Sequence, residues 1–107
     1  MQVNINSQSI SFSSPVELNN WNVPSIEGIY LILVKLDNNS FNCLYIGQSE
    51  DLSLRGFPDN HHSYSCWLQN SNKKDIFVVF SEINGKENRL KIETELINIY
   101  KPVCNKK

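Results

Sequence analysis

The 107 residues suit one domain with a modest core, and the composition is that of an ordinary soluble globular chain. A formal net charge of −1 gives no global drive toward a polyanion, and no apolar run is long enough to cross a bilayer, so no membrane partner is expected. The N-terminus lacks a basic region ahead of an apolar core, so no secretory signal is expected, and the odd count of three cysteines (Cys43, Cys66, Cys104) reads as free thiols in a reducing cytoplasm. Their spacing, with His61 and His62, matches no zinc framework. Charge is uneven: residues 73–107 hold eight basic and five acidic side chains, which makes either a weak basic face or an ordinary solvated surface.

Residues 3–12 alternate loosely through Val3, Ile5, Ile10 and Phe12, as in an edge strand or hairpin. Ser14-Pro15-Val16-Glu17 has the form of a short helix start, with Ser14 as cap and Glu17 reaching back, and Trp21 is expected to pack on the domain. Residues 1–26 read as an N-terminal extension covering one edge. Gly28-Ile29-Tyr30-Leu31-Ile32-Leu33-Val34-Lys35-Leu36 and Phe41-Asn42-Cys43-Leu44-Tyr45-Ile46-Gly47 are apolar, β-prone runs around the polar turn Asp37–Ser40, a hairpin signal. Asn and Asp tolerate left-handed angles and reverse the chain at low cost. The first run barely alternates, so it predicts a central strand covered on both faces. Antiparallel pairing brings Tyr30 and Tyr45 to one end of the sheet, as rim aromatics or as functional groups.

Gln48–Arg55 predicts a short helix capped by Ser49 and stopped by Gly56-Phe57-Pro58. A second helix is predicted over His61–Leu68, capped by Asp59 or Asn60, with His61 sharing a face with Tyr64 and Leu68. Gln69–Lys74 is a polar loop and Asp75–Ile83 a third strand. Asn84, with Glu87 as box partner, opens a last helix running to about Tyr100, and Pro102 ends it.

That helix carries an anomaly. Stepped at about 100° per residue from Leu90, the positions Ile92, Leu96, Ile97, Ile99 and Tyr100 form a broad apolar arc, and Glu93 falls inside it near 300°. Glu95 falls just outside. An inward carboxylate needs a cation, a metal or several donors. Either it pairs with Arg55 or Arg89 as a structural ion pair, or it serves as a metal ligand or acid–base group.

Taken together, these residues resemble the GIY-YIG nuclease family. Gly28-Ile29-Tyr30 and Tyr45-Ile46-Gly47 match its two signature tripeptides, Arg55 stands ten residues after Tyr45, and Glu93 precedes Leu96-Ile97, Pro102 and Asn105 in the family's order. The resemblance covers roughly residues 27–105. It implies an α+β fold, a three-stranded antiparallel sheet flanked by helices, making a single domain over 1–107 with a catalytic core at 27–105. It also implies divalent-metal-dependent endonuclease hydrolysis of DNA phosphodiesters. Glu93 would bind Mg²⁺ or Mn²⁺, Arg55 the scissile phosphate, Tyr30 and Tyr45 the attacking water, and Asn105 would hold the site together. Many members place a histidine one helical turn after the arginine; Asp59 occupies that position here. His61 and His62 follow, and His62 is taken as the catalytic one. Lys73, Lys74, Arg89, Lys106 and Lys107 are candidate phosphate contacts of modest, salt-sensitive affinity. With so little positive charge, a branched or single-stranded DNA, a homodimer or a partner protein would supply specificity.

Overall fold

A computed structural model of the chain describes residues 2–5, 8–55, 57–72 and 74–105. Gly56, Lys73, Lys106 and Lys107 lie outside the described residues. The fold is α+β, with antiparallel sheets and two α-helices among the described residues.

Strand β1 (Gln2–Ile5) pairs with β2 (Gln8–Ser11) as a separate antiparallel hairpin. The main sheet holds β3 (Val16–Glu17), β4 (Gly28–Lys35), β5 (Phe41–Ser49) and β6 (Ile76–Glu82) in the order β3-β6-β4-β5. Strand β4 is central, antiparallel to both β5 and β6, and every residue but Lys35 is buried. That is what its unbroken apolar run predicts, since both faces are covered. The β4–β5 turn is closed by Leu36 N–H donating to Ser40 O, with Asn39 at φ 64°; asparagine accepts that left-handed angle at low cost.

The sheet has four strands, not the expected three, because the segment read as a helix start is extended. Ser13 N–H donates to Phe80 O at 2.8 Å, and Phe80 N–H donates to Ser13 Oγ at 3.0 Å. These bonds, with Val16 opposite Val78, draw the segment onto the free edge of β6. Ser49 also differs from its expected role as a cap. It remains in the ladder opposite Gly28, and Asp51 caps a single 3₁₀ turn at Leu52–Leu54 by accepting from Ser53 N–H.

Two layers cover the sheet. On one face the β1–β2 hairpin and α2 (Lys86–Tyr100) bury Val3, Ile5, Ile10, Phe12, Ile92 and Leu96 against Ile29, Leu31, Leu33, Ile46 and Val79. The N-terminal extension therefore covers a face as well as an edge. On the other face α1 (Tyr64–Asn70), with Leu18, Leu52 and Trp67, packs on Tyr30, Ile32, Val34, Leu44 and Val78. Helix α1 starts three residues later than the expected His61, leaving both histidines in the loop before it. Helix α2 opens on Gly85 at φ 91° without the expected Asn84–Glu87 box, and Lys101, left-handed, closes it by donating to Ile97 O. Its buried face is Arg89, Ile92 and Leu96, while Ile99 and Tyr100, expected inside, are exposed.

The expectation of free thiols fails for two of the three cysteines. Cys66 on α1 and Cys104 in the 3₁₀ turn Val103–Asn105 form a disulfide, because these segments lie side by side over the same core face. Only Cys43 is free, and burial raises its pKa to about 12. Cross-linking positions 38 apart restricts the unfolded chain. Reduction, or Cys66→Ala, is expected to lower unfolding free energy by about 2–4 kcal/mol in chemical denaturation. An unchanged midpoint would count against the bridge.

Candidate active site

The two glycine-bearing tripeptides have a steric basis. A Cβ on Gly47 would lie inside the Tyr30 ring and hydroxyl, and one on Gly28 would strike the Ser81 carbonyl. Gly47 faces Tyr30 directly across the β4–β5 ladder. The glycine leaves room for a phenol to lie flat over the neighbouring strand. Tyr30 is 0 % exposed and Tyr45 9 %, with ring centroids 6.0 Å apart.

Each tyrosine meets a histidine. Tyr30 Oη lies 2.8 Å from His61 Nε2, and Tyr45 Oη lies 3.5 Å from His62 Nε2. The imidazoles stack, with centroids 4.5 Å apart, and Trp67 packs against His61 and Tyr45. His61 is buried and His62 exposed. Burial pushes both phenol pKa values up. The neighbouring Tyr45 raises Tyr30 further, while Arg55 opposes the rise in both. Burial lowers the His61 pKa to about 4, helped by His62 and Arg55, so its ring is neutral at pH 7.

A cavity of about 310 Å³ opens at the outer edge of β5, lined by Tyr45, His62, Ser63, Glu93, Ile97, Cys104 and Asn105. Glu93 is half-buried, as its inward phase on α2 predicts. Burial raises its pKa, Arg55 partly counters this, and it makes no ion pair among the described residues. Asn105 closes the exposed edge of β5: its Oδ1 accepts from Ile46 N–H and its Nδ2 donates to Ile46 O, each at 2.8 Å. The amide imitates a further strand and fixes the backbone next to Tyr45.

Arg55 borders a separate recess of about 250 Å³ with Gln48, Ser49, Glu50, Lys86 and Arg89. Its charge nevertheless acts on Tyr30, Tyr45, His61 and Glu93, and its Nε is buried without a hydrogen-bond partner among the described residues. So Tyr45, His62, Glu93 and Asn105 share one cavity, Arg55 lines another recess and acts on Tyr45 and Glu93 through its charge, and Tyr30 is buried instead of facing solvent.

The expected phosphate contacts fare differently. Arg89 is 3 % exposed, ion-paired to Glu27 and donating to Gln48 Oε1 at 2.9 Å, so its charge is neutralised inside the fold. Neither arginine matches the structural pairing first weighed for Glu93 by an ion pair. Lys74 pairs with Asp37 at 3.0 Å and lines recesses away from the cavity. Lys73, Lys106 and Lys107 are outside the described residues.

Sequence reading missed Ser63, whose buried backbone N–H meets His61 Nδ1 at 3.1 Å and whose side chain acts on Tyr45, and it missed the Glu27–Arg89–Gln48 cluster. The His-His-Ser order was the available signal for the first. No family model, curated protein or solved structure matches the chain.

Two outcomes follow from this geometry. Gly47→Ala drives a methyl into Tyr30, and overpacking of this kind costs about 1–3 kcal/mol in chemical denaturation; an unperturbed midpoint would show that the contact is soft. Between pH 6.5 and about 4 the unfolded chain binds a proton at His61 that the folded chain does not. Stability therefore rises with pH across that window and is lost on acidification. Glu93 has the opposite sign, because its raised pKa lets the folded chain hold a proton above the usual 4.5. The difference between wild type and His61→Gln isolates the histidine: the variant should lose less stability from pH 7 to 4.5, and equal losses would contradict the assignment.

Proposed function

We propose that the chain is a divalent-metal-dependent endonuclease that hydrolyses DNA phosphodiester bonds. One observation carries this reading: Tyr45, His62 and Glu93 line one cavity, and the charge of Arg55, whose buried Nε has no partner among the described residues, acts on Tyr45 and Glu93. The resemblance of Gly28-Ile29-Tyr30 and Tyr45-Ile46-Gly47 to the GIY-YIG tripeptides supports it, as does the fixing of β5 by Asn105.

The donor set fits a hard cation. Glu93 is the one carboxylate among the residues lining the cavity, and no group of three His, Cys, Asp or Glu side chains is gathered among the described residues. Mg²⁺ or Mn²⁺ is held in that way, by one carboxylate with retained waters. Such an ion supplies polarisation of the phosphoryl oxygen and charge for the leaving alkoxide. The remaining roles fall to the chain. Arg55 offers planar donors to two phosphate oxygens, and its Nε–H needs an acceptor. Tyr45 Oη orients the attacking water, and His62 accepts the displaced proton through a contact that shortens when substrate closes the site. Tyr30 stands behind as a positioning group. DNA is the proposed substrate, branched or single-stranded, because few cations face the cavity and duplex affinity would be modest.

Incubation with Mg²⁺ or Mn²⁺ and branched or single-stranded DNA should give cleavage that stops in EDTA. Glu93→Gln should fall to background, Tyr45→Phe should lower kcat by about 10²–10⁴, and Arg55→Gln by about 10²–10³. Cleavage unaltered by Glu93→Gln would sink the proposal. DNA binding that survives EDTA without turnover would mark a non-catalytic nucleic-acid-binding module.

A further inference from the structure

His61 has both ring nitrogens engaged. Nδ1 receives the Ser63 backbone N–H at 3.1 Å, and Nε2 meets Tyr30 Oη at 2.8 Å. A backbone N–H can only donate, so Nδ1 must present a lone pair, and in the neutral ring the proton then sits on Nε2. Turning the ring over would place carbon at both positions and lose both contacts, so the orientation is fixed as well. The environment keeps the ring neutral, since His61 is 5 % exposed, stacked on His62 and packed at a tilt against Trp67.

We propose that His61 is a positioning residue and not a base: Ser63 fixes its tautomer, and it donates from Nε2 to hold the Tyr30 oxygen as an acceptor. This deepens the nuclease reading and rests on it for its catalytic consequence. Tyr30 must then send its own hydroxyl proton elsewhere. The polar side chains acting on it besides His61 are Tyr45 and Arg55. Arginine offers only donors, so of these two Tyr45, whose ring centroid lies 6.0 Å away, is the one with an oxygen that can accept. Tyr45 Oη in turn lies 3.5 Å from His62 Nε2. No second hydrogen bond fixes the His62 tautomer among the described residues, and that ring is exposed. The donor order is therefore fixed over the inner segment, from the Ser63 backbone through His61 to the Tyr30 oxygen, and is left open at the exposed His62. The two tyrosine–histidine pairs divide the work: the inner pair sets direction, and the outer pair meets substrate. A charge developing on Tyr45 would then lie beside a Tyr30 hydroxyl whose oxygen is already held by His61.

The test has an arm that needs no activity. In ¹⁵N-histidine-labelled full chain at pH 7, long-range ¹H–¹⁵N correlation should show one ring with Nε2 protonated and Nδ1 bare, identified by its absence in His61→Gln. Its Nε2–H resonance should move in Tyr30→Phe, which a ring held only by packing would not do. A protonated Nδ1, in either the other tautomer or the cation, overturns the proposal. In the kinetic arm, His61→Leu should lower kcat roughly tenfold to a hundredfold with KM unchanged, and His61→Gln, which keeps a donor, should recover most of the loss. Equal loss in both variants, or none in His61→Leu, also overturns it. Absence of cleavage by the wild type would end the nuclease reading, while the spectrum would still decide the role of His61.

Discussion

A phenol hydroxyl sealed inside a sheet must be satisfied by the protein. Tyr30 sits in the middle strand with no exposure to water, so its oxygen has to find partners in the core. Much of the surrounding structure answers that requirement. Gly47 lacks the side chain that would displace the ring, the loop before α1 brings His61 to the hydroxyl, and Trp67 and Phe57 close the apolar sides. Core and site are therefore one object. The cluster that stabilises the α1 face of the sheet contains both tyrosines, and a change that loosens it would misplace the polar groups at the same time.

The edge of β5 is the second constraint. An edge strand exposes a row of unpaired donors and acceptors, which invites pairing with another chain. Asn105 covers this row at Ile46 with both ends of its amide, and the disulfide from Cys104 to Cys66 ties that turn to α1. The same turn walls the cavity, since Cys104 and Asn105 line it together with Tyr45 and Glu93. Protection of the edge and formation of the site thus come from one short segment after α2.

Features that depend on local pattern were legible in the sequence. The unbroken apolar run of β4 gave its central place, the Asp37–Ser40 composition gave the turn, and the phase of Glu93 gave its inward direction. What escaped depends on contacts between distant segments. Ser14-Pro15-Val16-Glu17 looks like a helix start until Ser13 is bonded to Phe80 and Val16 lies opposite Val78. Cys66 and Cys104 carry no spacing signal, because helix packing alone brings them together. Arg89 reads as a candidate phosphate contact or a partner for Glu93, yet Glu27 and Gln48, far off in the chain, hold it inside the fold. Ile99 and Tyr100 read as core because the wheel assumes one buried face along the whole helix, whereas the last turn is open: Ile99 is exposed and Tyr100 borders a recess over Leu31, Leu33, Phe41 and Cys43. The tautomer of His61 is further still from the sequence, since it turns on which way one backbone N–H points.

Charge balance bears on the chemistry. Arg89 is neutralised by Glu27 and Lys74 by Asp37, which leaves Arg55 as the guanidinium that reaches both tyrosines and Glu93. Under the proposed reaction a phosphodiester would bring a negative charge beside an ionised Glu93, and the transition state would add another. A single arginine does not offset all three in a half-buried site, where like charges interact more strongly than in water. The neutral His61 cannot contribute. Either Glu93 takes up a proton, toward which its burial already inclines it, or positive charge arrives with the substrate. The second course keeps the carboxylate ionised and able to bind, and a divalent cation is the smallest species that would complete the balance.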